Sequence, residues 1–166
     1  MKFEICNMNY FELFDLPVSL KIDKTNLAKK YFELQKQFHP DFFTQATEDE
    51  QANALEKSSQ INKALKIFKN EAETIKYVLQ LKNLLEEEEK YQLPTDFLME
   101  VMELNEELSE NSQQQISNFE TEIYKPVKGI IENFNNLTTC TPDLLKVKEY
   151  YYKKKYLQRI LDRIDG

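Results

Sequence analysis

The sequence predicts an all-α fold divided between two helical domains, and three observations predict it. Glycine occurs twice and proline five times in 166 residues, which leaves few places for the chain to turn. The intervening stretches are rich in Leu, Lys, Glu and Gln, which favour helix over strand. Apolar residues recur at spacings of three and four, the period of an amphipathic helix. At this length, with 41% hydrophobic residues, the chain can fill one ordinary core or two small helical ones.

Asn9 to Asp15 reads as a short helical turn closed by Leu16-Pro17. Asp23 then caps a helix whose Leu27, Tyr31, Leu34 and Phe38 follow i, i+4, i+7, i+11 on one stripe. Pro40 stops it. Thr47 with Glu50 three residues on has capping-box spacing and opens a helix carrying Leu55, Ile61, Leu65 and Phe68. The two stripes are expected to face each other as an antiparallel hairpin. A further helix runs from Glu71 to about Leu81, before the acidic run Glu86 to Glu89.

Leu93-Pro94-Thr95-Asp96 is a break and a restart, so a linker is expected at 84–94. It separates a domain at 1–83, with an extension at 1–8, from a three-helix domain at 95–166. The three helices are expected from Thr95 to Glu110, Ser112 to Phe134 and Thr141 to Ile164, the last with Thr141 as N-cap and Pro142 at its first position. Pro126 is expected to kink or interrupt the middle one.

The formal charge of −7 argues against a general nucleic-acid binder, because backbone phosphates repel an acidic surface. Residues 1–83 hold twelve basic and twelve acidic side chains, whereas 84–166 hold ten and seventeen, so the second half carries the excess. Cys6 and Cys140 lack the spacing of a zinc site or a disulfide framework, which suits a reducing compartment. No apolar run approaches membrane-spanning length and no signal or transit peptide is legible, so a cytoplasmic location is expected. Cys6 and the extension around it suggest no function.

His39, the sole histidine, stands in Phe38-His39-Pro40-Asp41, where a helical pattern meets a proline. A titratable ring and a carboxylate on a rigid solvated turn suit contact with another macromolecule. A metal site or general base there would need further ligands, a nucleophile or a pocket, and the chain offers no second histidine. No cofactor or metal is expected. With Leu27 at the centre of the buried stripe and 100 degrees per residue, Lys29 and Lys36 fall opposite it, with Glu33 between them and Lys30 and Gln37 on the flank. That basic face leads into the His39-Pro40-Asp41 turn.

The short aromatic first helix Tyr10-Phe11-Glu12-Leu13-Phe14, the basic second helix, His39-Pro40-Asp41 and the facing third helix resemble a J-domain. The resemblance implies that the turn and the basic helix, through His39, Pro40, Asp41, Lys29 and Lys36, dock on a DnaK-type ATPase chaperone and stimulate its ATP hydrolysis.

In Phe97 to Glu110 the same bookkeeping places Phe97, Val101, Leu104 and Leu108 on one core stripe and Met99, Met102, Glu103, Glu106 and Glu110 on the far side. Exposed flexible thioethers ringed by carboxylates suit a protein-binding surface. The segment from Phe97 to Leu108, with Ala72-Glu73-Thr74-Ile75-Lys76-Tyr77-Val78-Leu79, resembles the HscB family, J-type co-chaperones of iron-sulfur cluster assembly, and the likeness runs from Tyr10 to Ile164. It implies an L-shaped pair of domains that delivers an IscU-type scaffold to an HscA-type chaperone and performs no chemistry itself. It also implies scaffold-binding roles for Leu98, Met99, Met102, Glu103, Glu106 and Glu110. Met102 stands where a leucine is expected, a volume-conserving exchange.

Tyr150-Tyr151-Tyr152 and Lys153-Lys154-Lys155-Tyr156 could bind nucleic acid, but successive lysines point in different directions around a helix. Tyr150, Leu157, Ile160 and Ile164 form the expected core stripe. Tyr156 falls off it, and the family's Lys-x-x-aromatic-Leu pattern implies that it completes the IscU surface. Two rivals stand: a J-domain protein with another client, and a small metal-dependent hydrolase using His39 and Asp41.

Overall fold

The computed structural model describes residues 8–106 and 112–165, and every regular element among them is helical. They are α1 (Tyr10–Leu13), α2 (Lys24–Phe38), a 3-10 turn (Pro40–Phe43), α3 (Glu48–Lys69), α4 (Glu71–Leu81), α5 (Thr95–Glu106), α6 (Ser112–Glu132) and α7 (Thr141–Asp165). The chain divides into two compact units, Met1–Thr74 and Ile75–Gly166, with the division inside α4. Cys6, Leu108 and Glu110 lie outside the described residues. No helix among those described is long and apolar enough to cross a membrane.

In the first unit Asn9 caps α1 and the Glu12 side chain bonds back to the Asn9 N–H, a reciprocal box that starts even a four-residue helix. Asp15, at φ 50°, closes it: the Leu16 N–H reaches the Phe11 carbonyl and the Asp15 N–H the Glu12 carbonyl. The rings of Phe11 and Phe14 lie 4.8 and 5.5 Å from that of Phe68 on α3. This aromatic knot is the centre of the unit's core.

Helices α2 and α3 pack side by side and antiparallel, Lys24 and Leu27 lying by Leu65 and Lys69. Tyr31 bonds Asn62 across the seam. The buried line of α3 is Ala54, Ser58, Ile61, Ala64 and Phe68. Leu55, expected in the core, is 62% exposed. It sits one residue, and so about 100 degrees, from Ala54. Small residues on the buried line let the two helices approach closely, and the bulkier leucine is turned out.

Asn70 serves two helices, ending α3 and accepting the Glu73 N–H of α4 on its side chain. Buried Thr74 donates within the same corner, to the carbonyls of Ile67 or Asn70.

In the second unit, Ile75, Val78 and Leu79 of α4 are buried. Phe97, Val101, Ile116 and Leu157 form a cluster joining α5, α6 and α7, flanked by Phe119, Ile123 and Ile160. Farther along, Val127, Ile131, Leu144, Val147 and Tyr150 are buried, and α6 and α7 pack together. Helix α6 passes through Pro126 without interruption. Proline removes the N–H that would bond the Glu122 carbonyl, but both residues are exposed and water can take that bond. On α7, Tyr150 and Leu157 are buried as expected and Ile160 half-buried, while Ile164 is exposed and Tyr151 joins the core instead.

Candidate functional site

The first surface is built where α2 stops. His39 takes an extended conformation, φ −64° and ψ 129°, as the residue before a proline tends to. Pro40 opens the 3-10 turn, and the Phe42 N–H closes it on the His39 carbonyl at 3.0 Å. The Gln51 side chain, from the first turns of α3, donates to the carbonyls of Thr44 and Ala46 and ties down the far end. The turn is therefore held from both sides while its side chains stay wet. His39 is 45% exposed and Asp41 85%.

The His39 Nδ1 accepts the Asp41 backbone N–H at 3.3 Å and lies 3.5 Å from the Asp41 carboxylate. One nitrogen cannot make both interactions at once. Neutral imidazole, with its proton on Nε2, accepts the backbone N–H; protonated imidazole must instead turn its Nδ1–H toward the carboxylate. In both states Nε2 is a donor. The ring of Phe42 meets the imidazole edge-on at 6.1 Å and is itself exposed.

Lys29 and Lys36 are exposed on α2. The Lys36 ammonium lies 4.5 Å from the centre of the exposed Phe32 ring, which orients it without neutralising it. Lys30 is different: it bonds Asp15 at 2.6 Å. That hydrogen bond holds the Asp15 carboxyl below the usual carboxylate range and raises the Lys30 ammonium. The free basic face is thus narrower than the run of lysines suggests. Exposed Phe32 and Phe42 escaped the sequence reading, although two adjacent aromatics on one helix, or Phe42-Phe43 in tandem, cannot both face one core.

The second surface is on α5. Met99 and Met102 are 57% and 60% exposed, and Glu103 and Glu106 are exposed beside them. Leu98 and Tyr156 are half-buried and pack on the Phe97 cluster, Tyr156 with its ring edge-on to Phe97 at 6.1 Å. Both also line an open groove of about 620 Å³ whose other wall comes from residues 89–93. The structure therefore gathers Met99, Met102, Glu103 and Glu106 on one helix face and Leu98 with Tyr156 in a groove. His39, Pro40, Asp41, Lys29 and Lys36 belong to the other unit.

Among the described residues no group of three His, Cys, Asp or Glu side chains could hold a metal ion. The arrangement offers two solvated contact surfaces.

Comparison with known proteins gives a consistent result. The family model described as the HSCB C-terminal oligomerisation domain matches residues 93–165. A protein of Psychromonas ingrahamii named co-chaperone protein HscB homolog is 39% identical over 155 residues, covering 88% of this chain and 92% of that one. A protein of the same name in Haemophilus ducreyi is 34% identical over 163 residues, covering 90% and 92%. The crystal structure of human co-chaperone protein HscB superposes with a TM-score of 0.78 at 27% identity, covering 96% of this chain and 81% of the human one. Chaperone HscB from Vibrio cholerae gives 0.59 at 29%, covering 95% and 99%. On this likeness, which extends over nearly the whole length of both partners, the chain belongs to the HscB family of co-chaperones.

Proposed function

We propose that this co-chaperone binds an IscU-type iron-sulfur scaffold and delivers it to an HscA- or DnaK-type chaperone, whose ATPase it stimulates. The observation that carries the reading is the separation of two exposed surfaces. The rigid His39-Pro40-Asp41 turn with Lys29 and Lys36 lies on one unit, and the Met99, Met102, Glu103, Glu106 face lies on the other. In this reading residues 1–83 dock on the chaperone, 84–94 connect, and 95–166 hold the scaffold. Joining two weak sites in one chain raises the local concentration of scaffold at the chaperone, to the order of millimolar for short connections. The chain itself makes and breaks no bonds; the chaperone's ATP supplies the energy.

The test is steady-state ATP hydrolysis by the partner chaperone with this chain and the scaffold titrated separately and together. Stimulation by the chain alone, increased further by scaffold, is the expected outcome. Absence of stimulation by the chain under any loading would overturn it.

A further inference from the structure

We propose that the groove between residues 89–93 and α7 receives an acidic segment of the scaffold, so that scaffold docking is read by two surfaces of opposite charge. The inference rests on the scaffold-binding reading above and adds to it a site and a chemistry.

Tyr152, Lys155, Tyr156 and Arg159 follow i, i+3, i+4, i+7 and so share one face of α7. They form one wall of the groove, which Leu98 of α5 and Tyr91 also line. The rings of Tyr91 and Tyr152 stack at 4.4 Å and 2°, which closes the groove at that point and holds residues 89–93 against α7. Its open shape, with Leu93 and Leu98 among charged and aromatic residues, suits a surface segment of a protein rather than an enclosed small ligand.

The charge selects the segment. Residues 84–166 carry seventeen acidic and ten basic side chains, and the exposed face of α5 is acidic. The groove inverts this. Lys90, Lys155 and Arg159 line it, with Glu89 its one acid. Glu89 is already committed, at 2.6 Å to Lys148 and 3.3 Å to the Tyr152 hydroxyl. Among the described residues none of the three cations has a carboxylate partner. Three cations without a carboxylate partner, beside the rings of Tyr91, Tyr152 and Tyr156 on an otherwise acidic body, are complementary to carboxylates and disfavour a basic segment. Because Leu98 belongs both to the groove and to the helix that carries Met99 and Met102, one partner can cover both. It would then be oriented, with basic residues against α5 and acidic residues in the groove.

Zero-length carbodiimide coupling of the full chain to purified scaffold, read by mass spectrometry, tests this directly because it joins amines only to carboxylates in contact. The expected products link Lys90 or Lys155 to Asp or Glu of the scaffold. In parallel, the Lys155→Glu, Arg159→Glu double variant should bind scaffold about tenfold more weakly at low salt, with the difference shrinking as salt rises, while Lys155→Arg, Arg159→Lys binds as wild type. Cross-links only from Glu103 or Glu106 to scaffold lysines, with unchanged affinity of the double reversal, would overturn the groove and leave scaffold docking standing. No binding of scaffold by the unmodified chain would overturn both.

Discussion

Lys148 of α7 donates to Glu89, 59 residues earlier, at 2.6 Å, and pins the segment after α4 onto the last helix. The pair is mostly sheltered, its side chains 12% and 26% exposed, and the Tyr152 hydroxyl donates to the second carboxylate oxygen. The Lys148 hydrogen bond holds the Glu89 carboxyl below its usual 4.5. Burial, reinforced by the Glu89 charge, pushes the Tyr152 hydroxyl up to about 12.

These shifts bracket a pH window. A carboxyl lowered on folding stabilises above its unfolded value and loses that stabilisation as pH falls below 4.5 toward the folded value. A phenol raised on folding stabilises below 10 and loses it as pH climbs toward 12. Glu89→Gln should cost about 1 kcal/mol at neutral pH, in the range for a partly sheltered pair. Thermal unfolding of wild type and variant across pH checks it: the two curves should converge at the acid end, since only the difference isolates Glu89 from the other lowered carboxyls, Asp15, Glu50 and Asp143.

A second prediction concerns the end of α4. Asn83 lies at φ 57°, with the Leu84 N–H on the Leu79 carbonyl and the Asn83 N–H on the Gln80 carbonyl, a closure that glycine usually provides. In a chain with two glycines, asparagine does it, since its short polar side chain tolerates the left-handed region. Asn83→Gly should leave stability within about 0.5 kcal/mol, whereas the β-branched Asn83→Val should lose about 1–2 kcal/mol. Denaturant unfolding of both variants separates the backbone term from any side-chain contact.

Much of this was legible in the residues. Capping signals at Asp23 and Thr47, and prolines at 40, 94 and 142, mark helix ends because each acts on the backbone within one turn. The far side of α5 was legible for the same reason, since Met99 and Met102 are placed by helix geometry relative to Phe97 and Val101. What was hidden depends on partners distant in sequence. Leu55 reads as core until Ala54 and Ser58 are seen to face α2. The Lys30–Asp15 and Lys148–Glu89 pairs, and the groove beside Tyr152 and Arg159, arise only when segments far apart are brought together.

At the His39 turn, His39→Gln should abolish stimulation of the partner chaperone while leaving the circular dichroism spectrum unchanged. The imidazole is half exposed and the hydrogen bond it accepts from the Asp41 N–H is solvated, so little stability rests on it. Retained stimulation in the folded variant would remove the turn from the docking surface.

On α2, reversing Lys29 and Lys36 to Glu should slow association with the chaperone, and the wild-type interaction should weaken as salt screens it. Lys30→Glu should behave differently. Lys30 is drawn to Asp15, so its reversal should lower thermal stability more than docking. Association rates by stopped flow at two ionic strengths, alongside melting curves, distinguish the two.

The exposed face of α5 gives the most separable outcome. The Met99→Ala, Met102→Ala, Glu103→Ala variant should lose scaffold binding and keep the chaperone stimulation that needs no scaffold, because these side chains are exposed and lie on the other unit from His39. None of them belongs to the Phe97, Val101, Ile116, Leu157 cluster, so helicity and melting should be nearly unchanged. Truncating one well-packed interface anchor costs about 2 kcal/mol or more, so the triple change should weaken affinity by well over tenfold. Leu98→Ala is the informative contrast: it packs on that cluster as well as lining the groove, so it should lose both stability and scaffold affinity. Calorimetry with purified scaffold decides. Unchanged affinity in a folded triple variant would return the exposed methionines to some other partner, and a loss of self-association in sedimentation would identify that partner as a second copy of the chain.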